Sequence, residues 1–570
     1  MNLDQKRLDI LASSGHLLIE GGPGCGKTTI ALRVARDQLA ELGAEQRILF
    51  LSFSRAAVRQ ITDRMRGVFD HSTRTRLEVR TFHAFFLDLV RSHSPELTGK
   101  PARFITPEAE TRLKFDHDGD WDTHTYDLAR GGQYVFDRLA DTAATLLEAS
   151  AQLRALYSDA YPTVIVDEFQ DTNVDQWRAV RALAEGSRLI CLADPDQRIF
   201  EGFVKGVDEH RIEQLREALH PTEFDLSGDN HRSPASGILD YANAILLADP
   251  NSPLPPSIQL VAYRNAARMN PVAHAVISSL ANQLNESLGR TASIAVLATD
   301  NVTLTHLSEQ LATTSTLSSG SSFGPVDHLF HFEADKAAAA GYIVASILEW
   351  PKLSREQAIT QTVEAMIDYY RTVGGTTSRT KASVLTRGLD ALQNGGTLRS
   401  KDVQRIINAY DSGLTFVGDP VTDWQIARKV LTGSGELNTM FQRVRHLRLL
   451  KATDDLAWGL LDTWDGELGY LGATTEVRRI LAERILDDSR VAPADVNLMN
   501  MHKSKGKEFD GVVVLEGVYQ GQLFSRDEHY PARSGRRRLI RVGFTRARHR
   551  VVLVRPSGSR SLMVTTPPPV

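Results

Sequence analysis

Short unbroken hydrophobic runs alternate with amphipathic segments in the first part of the chain. The runs are "HLLIEG", "RILFLS", "LEVRTF", "TVIVDE" and "RLICLAD". Most of them lack the one-in-two alternation of a half-exposed strand, so they predict strands buried on both faces of a parallel sheet. Helical periodicity between them, as in "KTTIALRVARDQLAEL" and "RAAVRQITDRMRGVF", completes the alternation that is typical of a doubly wound α/β domain.

A second group of hydrophobic runs lies nearer the C-terminus. "SIAVLAT" is followed much later by "VNLMNM", "GVVVLEG" and "HRVVLV", which predicts a second α/β domain interrupted by a helical insert. "DHDGDWDTHTYDLARGG" predicts an irregular polar segment, "YVFDRLADTAATLLEASAQL" a helix, and "TSTLSSGSSFG" a flexible loop or hinge. The expected segments are a first domain over 1–86 and 160–257, its small helical insert over 87–159, a second domain over 258–334 and 491–570, and its helical insert over 335–490.

Composition narrows the class of protein and its compartment. A chain of 570 residues is too long for one core, and 42% hydrophobic with 24% charged residues is ordinary for a globular protein. The net charge is −4, so any nucleic-acid surface must be a local basic groove. Two cysteines fit a reducing compartment, and neither a membrane span nor a secretion signal is visible. We therefore expect a cytoplasmic protein with no membrane partner.

The segment "EGGPGCGKTT" carries the first chemical signal. Gly21 is followed by four residues and then by Gly26, Lys27 and Thr28, between a predicted strand and a predicted helix, which is the context of a P-loop. Glycines let backbone N–H groups surround a phosphate, and the helix N-terminus adds a positive dipole end. A glycine-rich turn without ligand is the less favoured interpretation. The residues expected to bind nucleotide are Gly22, Gly24, Gly26, Lys27, Thr28 and Thr29.

Adjacent acids end the run "YPTVIVDEFQDTN". Asp167 and Glu168 follow a buried strand, at the edge of a parallel sheet where ligands bind, beside the P-loop. Asp167 is then the carboxylate on the Mg²⁺ side, with Thr28 as its partner, and Glu168 orients or deprotonates the attacking water. A solvated acidic strand end is disfavoured because the P-loop is independently present. The two motifs together predict an NTPase.

Further blocks follow in a fixed order. They are "NLDQKRL", "LSFSRAAVRQITDRM", "TFHAF", "DEFQD", "LADPDQRIF", "NHRSP", "MNMHKSKGKEFDGVVVLEG" and "RRRLIRVGFTRAR". With the P-loop they resemble the motifs of superfamily 1A helicases of the UvrD/Rep/PcrA type, over both α/β domains. The resemblance implies two RecA-like parallel-sheet domains with mainly helical accessory inserts, the first of them trimmed, and ATP and Mg²⁺ as cofactors.

The resemblance also implies a nucleotide site shared by the two domains. Its catalytic residues are Lys27, Asp167, Glu168, Gln197, Arg232 and Arg546. Gln197 is implied to sense the γ-phosphate, Arg232 to bind it, and Arg546 to act as arginine finger. The further nucleotide contacts implied are Gln5 at the adenine edge, His231 stacking on adenine where the family has tyrosine, Gly506 at a tight turn, and Glu508 on the ribose.

The same resemblance implies a path for DNA and an activity. The implied contacts with single-stranded DNA are Phe53, Ser54, Arg55, His83, Phe200 and His502. The implied activity is ATP-driven 3′-to-5′ movement on single-stranded DNA with unwinding of 3′-tailed duplex. One alternative is a DNA-stimulated ATPase that serves as sensor or regulatory subunit of a nuclease-containing anti-phage complex. Another is a nucleic-acid-binding scaffold with weak ATPase activity.

Overall fold

Two six-stranded β-sheets organise the chain in the computed structural model. No helix of the described residues is long and apolar enough to cross a membrane. The residues that the structure describes are 4–105, 110, 113–114, 117, 119–199, 206–234, 236–317, 319–330, 333–373, 375–394, 400–431, 453–486, 495–525 and 528–565.

The first sheet is parallel throughout. Its strands are β1 (Leu17–Glu20), β2 (Ile48–Ser52), β3 (Leu77–Thr81), β4 (Thr163–Val166), β5 (Arg188–Ala193) and β6 (Thr222–Asp225). They lie in the order β3-β2-β4-β5-β1-β6. Alternate residues of β2 enter different hydrophobic clusters, Leu49 and Leu51 on one face and Ile48 and Phe50 on the other. Burial on both faces explains the unbroken hydrophobic runs.

Helices cover both faces of this sheet and follow most of its strands. They are Gln5–Ala12, Lys27–Leu39, Arg55–Met65, His71–Arg74, Val174–Ala184 and Arg211–Leu219. Side-chain caps fix several of their starts. Asn173 and Gln176 form a capping box at Val174–Ala184, and Asp4 accepts from the Arg7 N–H at the first helix.

The segment between β3 and β4 is mainly helical, as predicted, but its polar stretch is ordered differently. Its helices are Phe82–His93, Pro95–Thr98, Trp121–Arg130, Leu139–Ala149 and Ala151–Ala160, with short parallel strands Arg103–Phe104 and Gln133–Tyr134. The prediction of an irregular segment was wrong at Trp121–Arg130, where Asp120 caps a helix. The single helix predicted over "YVFDRLADTAATLLEASAQL" is two, because Ser150 ends one and caps the next.

The second sheet is also parallel throughout. Its strands are β7 (Ile258–Tyr263), β8 (Ile294–Ala298), β9 (His328–Phe330), β10 (Val496–Asn500), β11 (Phe509–Leu515) and β12 (Ala547–Pro556). They lie in the order β9-β10-β8-β11-β12-β7. The accompanying helices are Ile238–Leu247, Ala266–Leu288, Asn301–Leu311 and Gly535–Phe544. Two RecA-like parallel sheets in one chain confirm the predicted fold class.

Helices between β9 and β10 pack around a hydrophobic core of their own. They are Glu333–Leu348, Arg355–Val373, Gly375–Gln393, Lys401–Asp411, Pro420–Lys429, Thr453–Thr463 and Ala473–Leu486.

The segment predicted as a flexible loop or hinge, "TSTLSSGSSFG", instead forms a small antiparallel hairpin in which Ser315–Thr316 pairs with Ser322–Phe323. Small β-branched and hydroxylated residues around a glycine turn suit such a hairpin.

Candidate functional site

The phosphate loop connects β1 to the helix Lys27–Leu39. The N–H of Gly21 donates to the carbonyl of Ala193 at 3.1 Å, which ties the loop to β5. Gly24 and Gly26 have φ values of 82° and 95°, a left-handed conformation that side chains other than glycine rarely adopt. The Lys27 Nζ donates back to the carbonyl of Gly21 at 2.6 Å. The Lys27 ammonium group therefore lies inside the loop, where the phosphate is expected to bind.

Residues of the "NHRSP" segment pack directly on this loop. The N–H of His231 donates to the Gly24 carbonyl at 2.8 Å. A Cβ on Gly24 would lie 2.6 Å from the Cβ of Arg232, a distance that no side chain tolerates. Gly24 is thus required by the close approach as well as by its φ. Thr28 and Thr29 occupy the first helical turn, both half-buried.

The two acids after β4 lie in different environments. Glu168 has φ 52°, a left-handed conformation that is strained for this residue. Its Oε2 accepts from Gln170 Nε2 at 2.6 Å, while Gln170 Oε1 accepts from the Asp194 N–H at 3.0 Å. Burial alone would raise the pKa of Glu168, but Lys505 and Lys27 outweigh it and hold the pKa below its ordinary value. Gln170 therefore joins the acidic segment to the segment that follows β5.

Asp167 has the opposite electrostatic character. Burial and the neighbouring Glu168 charge raise the pKa of Asp167 to about 7. A buried carboxylate beside another is stabilised by a cation. No group of three or more metal-ligating side chains occurs among the described residues, so a dedicated protein cage for a metal ion is not formed there. One carboxylate and one hydroxyl, Thr28, suit Mg²⁺, which commonly takes its remaining ligands from phosphates and water.

Side chains from the second sheet reach across to these acids. Arg546, at the start of β12, donates from Nη2 to the Gln197 Oε1 at 3.0 Å. Lys505 Nζ donates to the Gln197 carbonyl at 2.7 Å, contacts the Asp171 carboxylate and lies 3.5 Å from Glu168 Oε2. Burial and the Arg232 charge lower the pKa of the Arg546 guanidinium. A cation in this position would be stabilised by a bound phosphate.

The Glu508 carboxylate forms ion pairs with three arginines. Arg232 Nη2 lies 2.7 Å from its Oε1, Arg64 Nη2 lies 3.0 Å from the same oxygen, and Arg548 Nη2 lies 3.1 Å from Oε2. Arg232 also donates to the Thr545 carbonyl at 2.9 Å. Two residues implied for different parts of the nucleotide, Arg232 and Glu508, thus bind each other across the cleft.

The structure does not bring Gln5 into this cluster. Its amide donates to Asp9 Oδ1 at 2.7 Å along the exposed side of the first helix. Arg7 instead lies against the loop, with Nη2 donating to the Cys25 carbonyl at 2.9 Å and to Asp229 Oδ2 at 2.6 Å. The same Nη2 lies 3.2 Å from His231 Nε2. The helical turn places residue 7, two positions after residue 5, on the buried face.

Several residues implied for DNA lie just after β2 and β3 of the first sheet. Phe53 packs against Phe82 with ring centroids 5.1 Å apart, so its ring is partly used in the core. Ser54 caps the helix Arg55–Met65 by accepting from the Ala57 N–H at 3.1 Å. His83 is exposed, 5.4 Å from the Phe136 ring. Phe200 and the side chain of Arg55 lie outside the described residues.

The remaining residue implied for DNA, His502, lies between β10 and β11 of the second sheet, as does Gly506, which was implied for the nucleotide site. His502 is half-buried, and Asn500 Oδ1 accepts from its backbone N–H at 3.0 Å. Gly506 has φ 75°, and a Cβ there would lie 3.7 Å from the Ala57 Cβ and 3.8 Å from the Ser54 Oγ. Gly506 therefore faces the predicted DNA residues of the first sheet as well as the nucleotide cleft.

Two residues at the cleft escaped the sequence analysis. Arg7 and Lys505 are both within quoted motifs, "NLDQKRL" and "MNMHKSKGKEFDGVVVLEG", but charge partners more than 200 positions away are invisible in the sequence. No local pattern marks either cation, since Arg7 directly follows Lys6 and Lys505 lies between Ser504 and Gly506. Such a cation is more often exposed than buried.

Sequence comparisons agree with this arrangement. Residues 5–203 match the sequence model of an AAA domain, and residues 495–554 match that of the UvrD-like helicase C-terminal domain. The ATP-dependent DNA helicase PcrA of Leuconostoc citreum is 22% identical over 95% of this chain and 80% of its own length. These matches support a superfamily 1 helicase of the UvrD/PcrA type.

Other members of this helicase type match shorter parts of the chain. ATP-dependent DNA helicase UvrD1 of Mycobacterium leprae is 25% identical over 42% of this chain. The putative ATP-dependent DNA helicase YjcD of Bacillus subtilis is 23% identical over 35% of this chain. The matches span 39% and 32% of those two relatives, so the activities of the whole relatives are not carried over directly.

Proposed function

We propose that the chain is an ATP-dependent DNA helicase that moves 3′ to 5′ along single-stranded DNA and unwinds 3′-tailed duplex. One observation carries the proposal: buried arginine contacts join the two domains beside the phosphate loop, one arginine coming from each domain. Arg546 contacts Gln197 at 3.0 Å, and Arg232 contacts Glu508 at 2.7 Å. A nucleotide between them would hold both domains together, which couples its hydrolysis to domain motion.

The residues of the cleft divide the chemical work. Lys27 would bind the β- and γ-phosphates, with Mg²⁺ held by Thr28 and Asp167 to neutralise their charge. Glu168 is ionised and fixed by Gln170 at 2.6 Å, as suits a base that orients the attacking water. Arg232 and Arg546 would stabilise the charge that develops on the transferred phosphoryl group.

The rest of the proposed nucleotide site binds the other parts of ATP. Gly22, Gly24 and Gly26 would present backbone N–H groups to the phosphates, with Thr29 next to Thr28 at the helix start. His231 would stack on the base, with Arg7 Nη2 3.2 Å from its Nε2. When ATP binds, Glu508 would release one or more of its arginines and accept a hydrogen bond from the ribose.

The proposed DNA path crosses both domains. Ser54, His83 and His502 offer polar groups to the backbone, and Phe53 offers a ring edge to bases. A Cβ on Gly506 would lie 3.8 Å from the Ser54 Oγ. The parts of the path that come from the two domains therefore meet at the cleft. A change in cleft closure therefore alters the grip on DNA. The division of the chain into four domains expected from the sequence is part of this proposal.

Two assays test the proposal. ATP hydrolysis is measured with and without single-stranded DNA, and strand displacement is measured on 3′-tailed and 5′-tailed duplexes of identical sequence. We expect DNA-stimulated hydrolysis and displacement of the 3′-tailed duplex alone. Displacement of the 5′-tailed duplex would contradict the polarity, and hydrolysis that DNA does not stimulate would contradict the motor.

The same assay separates the alternatives. Stimulated hydrolysis without displacement on either duplex is the result expected of a sensor or regulatory subunit that controls a nuclease. DNA binding with little hydrolysis is the result expected of a scaffold. We place the activity in the cytoplasm, since Cys25 and Cys191 are buried free thiols, as suits a reducing compartment.

A further inference from the structure

A buried arginine outside the implied catalytic set lies at the phosphate loop. Arg541 belongs to the helix Gly535–Phe544 of the second sheet, and its side chain is 4% exposed. Its Nη2 lies 3.7 Å from the position that a Cβ on Gly22 would take. Its Nη1 lies 3.5 Å from Asp194 Oδ2, in the segment that follows β5. The guanidinium therefore reaches across the cleft, between the phosphate loop and that segment.

The guanidinium is held from one side by a hydrogen bond. Its Nε donates to Asn243 Oδ1 at 2.8 Å, on the helix Ile238–Leu247. Its Nη1 is buried and makes no hydrogen bond among the described residues, because Asp194 Oδ2 is 3.5 Å away and accepts from Gln197 Nε2. A buried cationic donor that makes no hydrogen bond is costly, because its hydration is lost and not fully replaced. Such a group is stabilised when an anion enters the cleft.

Lys27 indicates which part of a nucleotide that anion is. Its Nζ donates to the Gly22 carbonyl at 3.2 Å, so Lys27 and Arg541 approach the loop at the same residue. In P-loop NTPases this lysine binds the β- and γ-phosphates. Arg541 therefore faces the end of the loop where the terminal phosphates bind.

We propose that Arg541 contacts the terminal phosphates of the bound nucleotide from the second domain, in addition to Arg546. The assignment rests on the proposed ATPase function. Arg546 contacts Gln197 at 3.0 Å, whereas Arg541 lies near Gly22 and Asp194, so the two arginines have different partners. Because Arg541 lies across the cleft, its contact favours ATP over ADP and favours the closed arrangement of the domains.

The test compares nucleotides that differ in the γ-phosphate. Binding of AMP-PNP and of ADP is measured by calorimetry for the wild type, R541Q and R541K, together with ATP turnover. We expect R541Q to weaken AMP-PNP binding about tenfold or more, as for a lost charge-assisted hydrogen bond, and to change ADP binding much less. R541K keeps the charge and is expected to recover part of the loss. R550Q, an exposed arginine on β12, is the matched control and leaves both affinities unchanged.

Each outcome decides the assignment. Equal losses for AMP-PNP and ADP, or no loss for AMP-PNP, would overturn it. If circular dichroism shows that R541Q is unfolded, N243A replaces it, because this change frees the guanidinium and is expected to give a smaller loss that is again selective for AMP-PNP. A wild-type chain that hydrolyses no ATP would refute the proposed function. Normal wild-type turnover with an unselective R541Q would refute only the role of Arg541.

Discussion

At the scale of single residues, Glu168 combines backbone strain with a low pKa. Its φ of 52° costs on the order of 1 kcal/mol or more, which the surrounding contacts must offset. That conformation turns the carboxylate towards Gln170 and Lys505, both of which favour its ionised form. A strained, ionised carboxylate beside a phosphate loop is suited to the task of a base.

Replacing Glu168 with glutamine tests this role. The amide is nearly isosteric but cannot accept a proton, so we expect E168Q to lose ATP hydrolysis by about a hundredfold or more while it still binds ATP. Turnover and equilibrium binding of ATP are measured on the same preparation. Normal turnover would refute the assigned base, and loss of binding together with turnover would indicate a damaged loop.

Residue identity was predictable where the motif fixes both chemistry and backbone. At Gly24 a positive φ and the close approach of Arg232 leave room for glycine alone, as a phosphate loop requires. Gln5 lies on the exposed face of its helix, which the motif does not specify, and its contact with adenine stays a prediction. Arg7 and Arg541 were missed since their burial depends on distant partners, Asp229 and Asn243, that no local pattern reveals.

At the scale of elements, the central strands of both sheets were predictable, but only one of the four edge strands, β3, was. All nine strands expected from hydrophobic runs are present among the strands described. β6, β7 and β9 were not expected. β6 and β7 are edge strands with mostly exposed or half-exposed side chains, and β9 has only three residues. Edge strands lack the two-sided burial that produces an unbroken run.

Glu508 connects three elements through one carboxylate. Arg64 comes from the helix Arg55–Met65, Arg232 from the segment on the phosphate loop, and Arg548 from β12. Burial alone would raise the pKa of Glu508, but these arginines outweigh it and lower the pKa to about 2. A depressed carboxylate pKa stabilises the fold above its ordinary value near 4.5, and the stabilisation is lost as pH falls towards 2.

The expected result is a difference in acid sensitivity. E508Q cannot ionise, so its melting temperature should fall less steeply than that of the wild type between about pH 5 and pH 3. The lowering of the Glu508 pKa from 4.5 to about 2 corresponds to about 3 kcal/mol of stability at neutral pH. Melting temperatures are measured by differential scanning fluorimetry across this range, with E217Q, an exposed glutamate, as control. Parallel curves for E508Q and wild type would show that the three arginines do not hold the carboxylate.

At the scale of the whole molecule, buried polar contacts help to join the two sheets. Lys505 supplies one of them, with 8% of its side chain exposed and Asp171, its partner, 1% exposed. Burial raises the pKa of Asp171 to about 6 even though Lys505 opposes this, so the carboxylate depends on the lysine across the cleft. The same Nζ donates to the Gln197 carbonyl at 2.7 Å, so Lys505 also holds the segment that follows β5.

Removing the lysine charge should therefore open the cleft. K505M leaves Asp171 buried without its partner, which costs about 3–5 kcal/mol if the domains stay together. Separation of the domains exposes Asp171 to water and avoids that cost, so we expect a larger radius of gyration by small-angle scattering and a loss of DNA-stimulated ATP turnover. The double variant K505M/D171N removes both charges and should recover the compact form. A compact K505M chain with normal stimulation would show that this ion pair does not hold the two domains together.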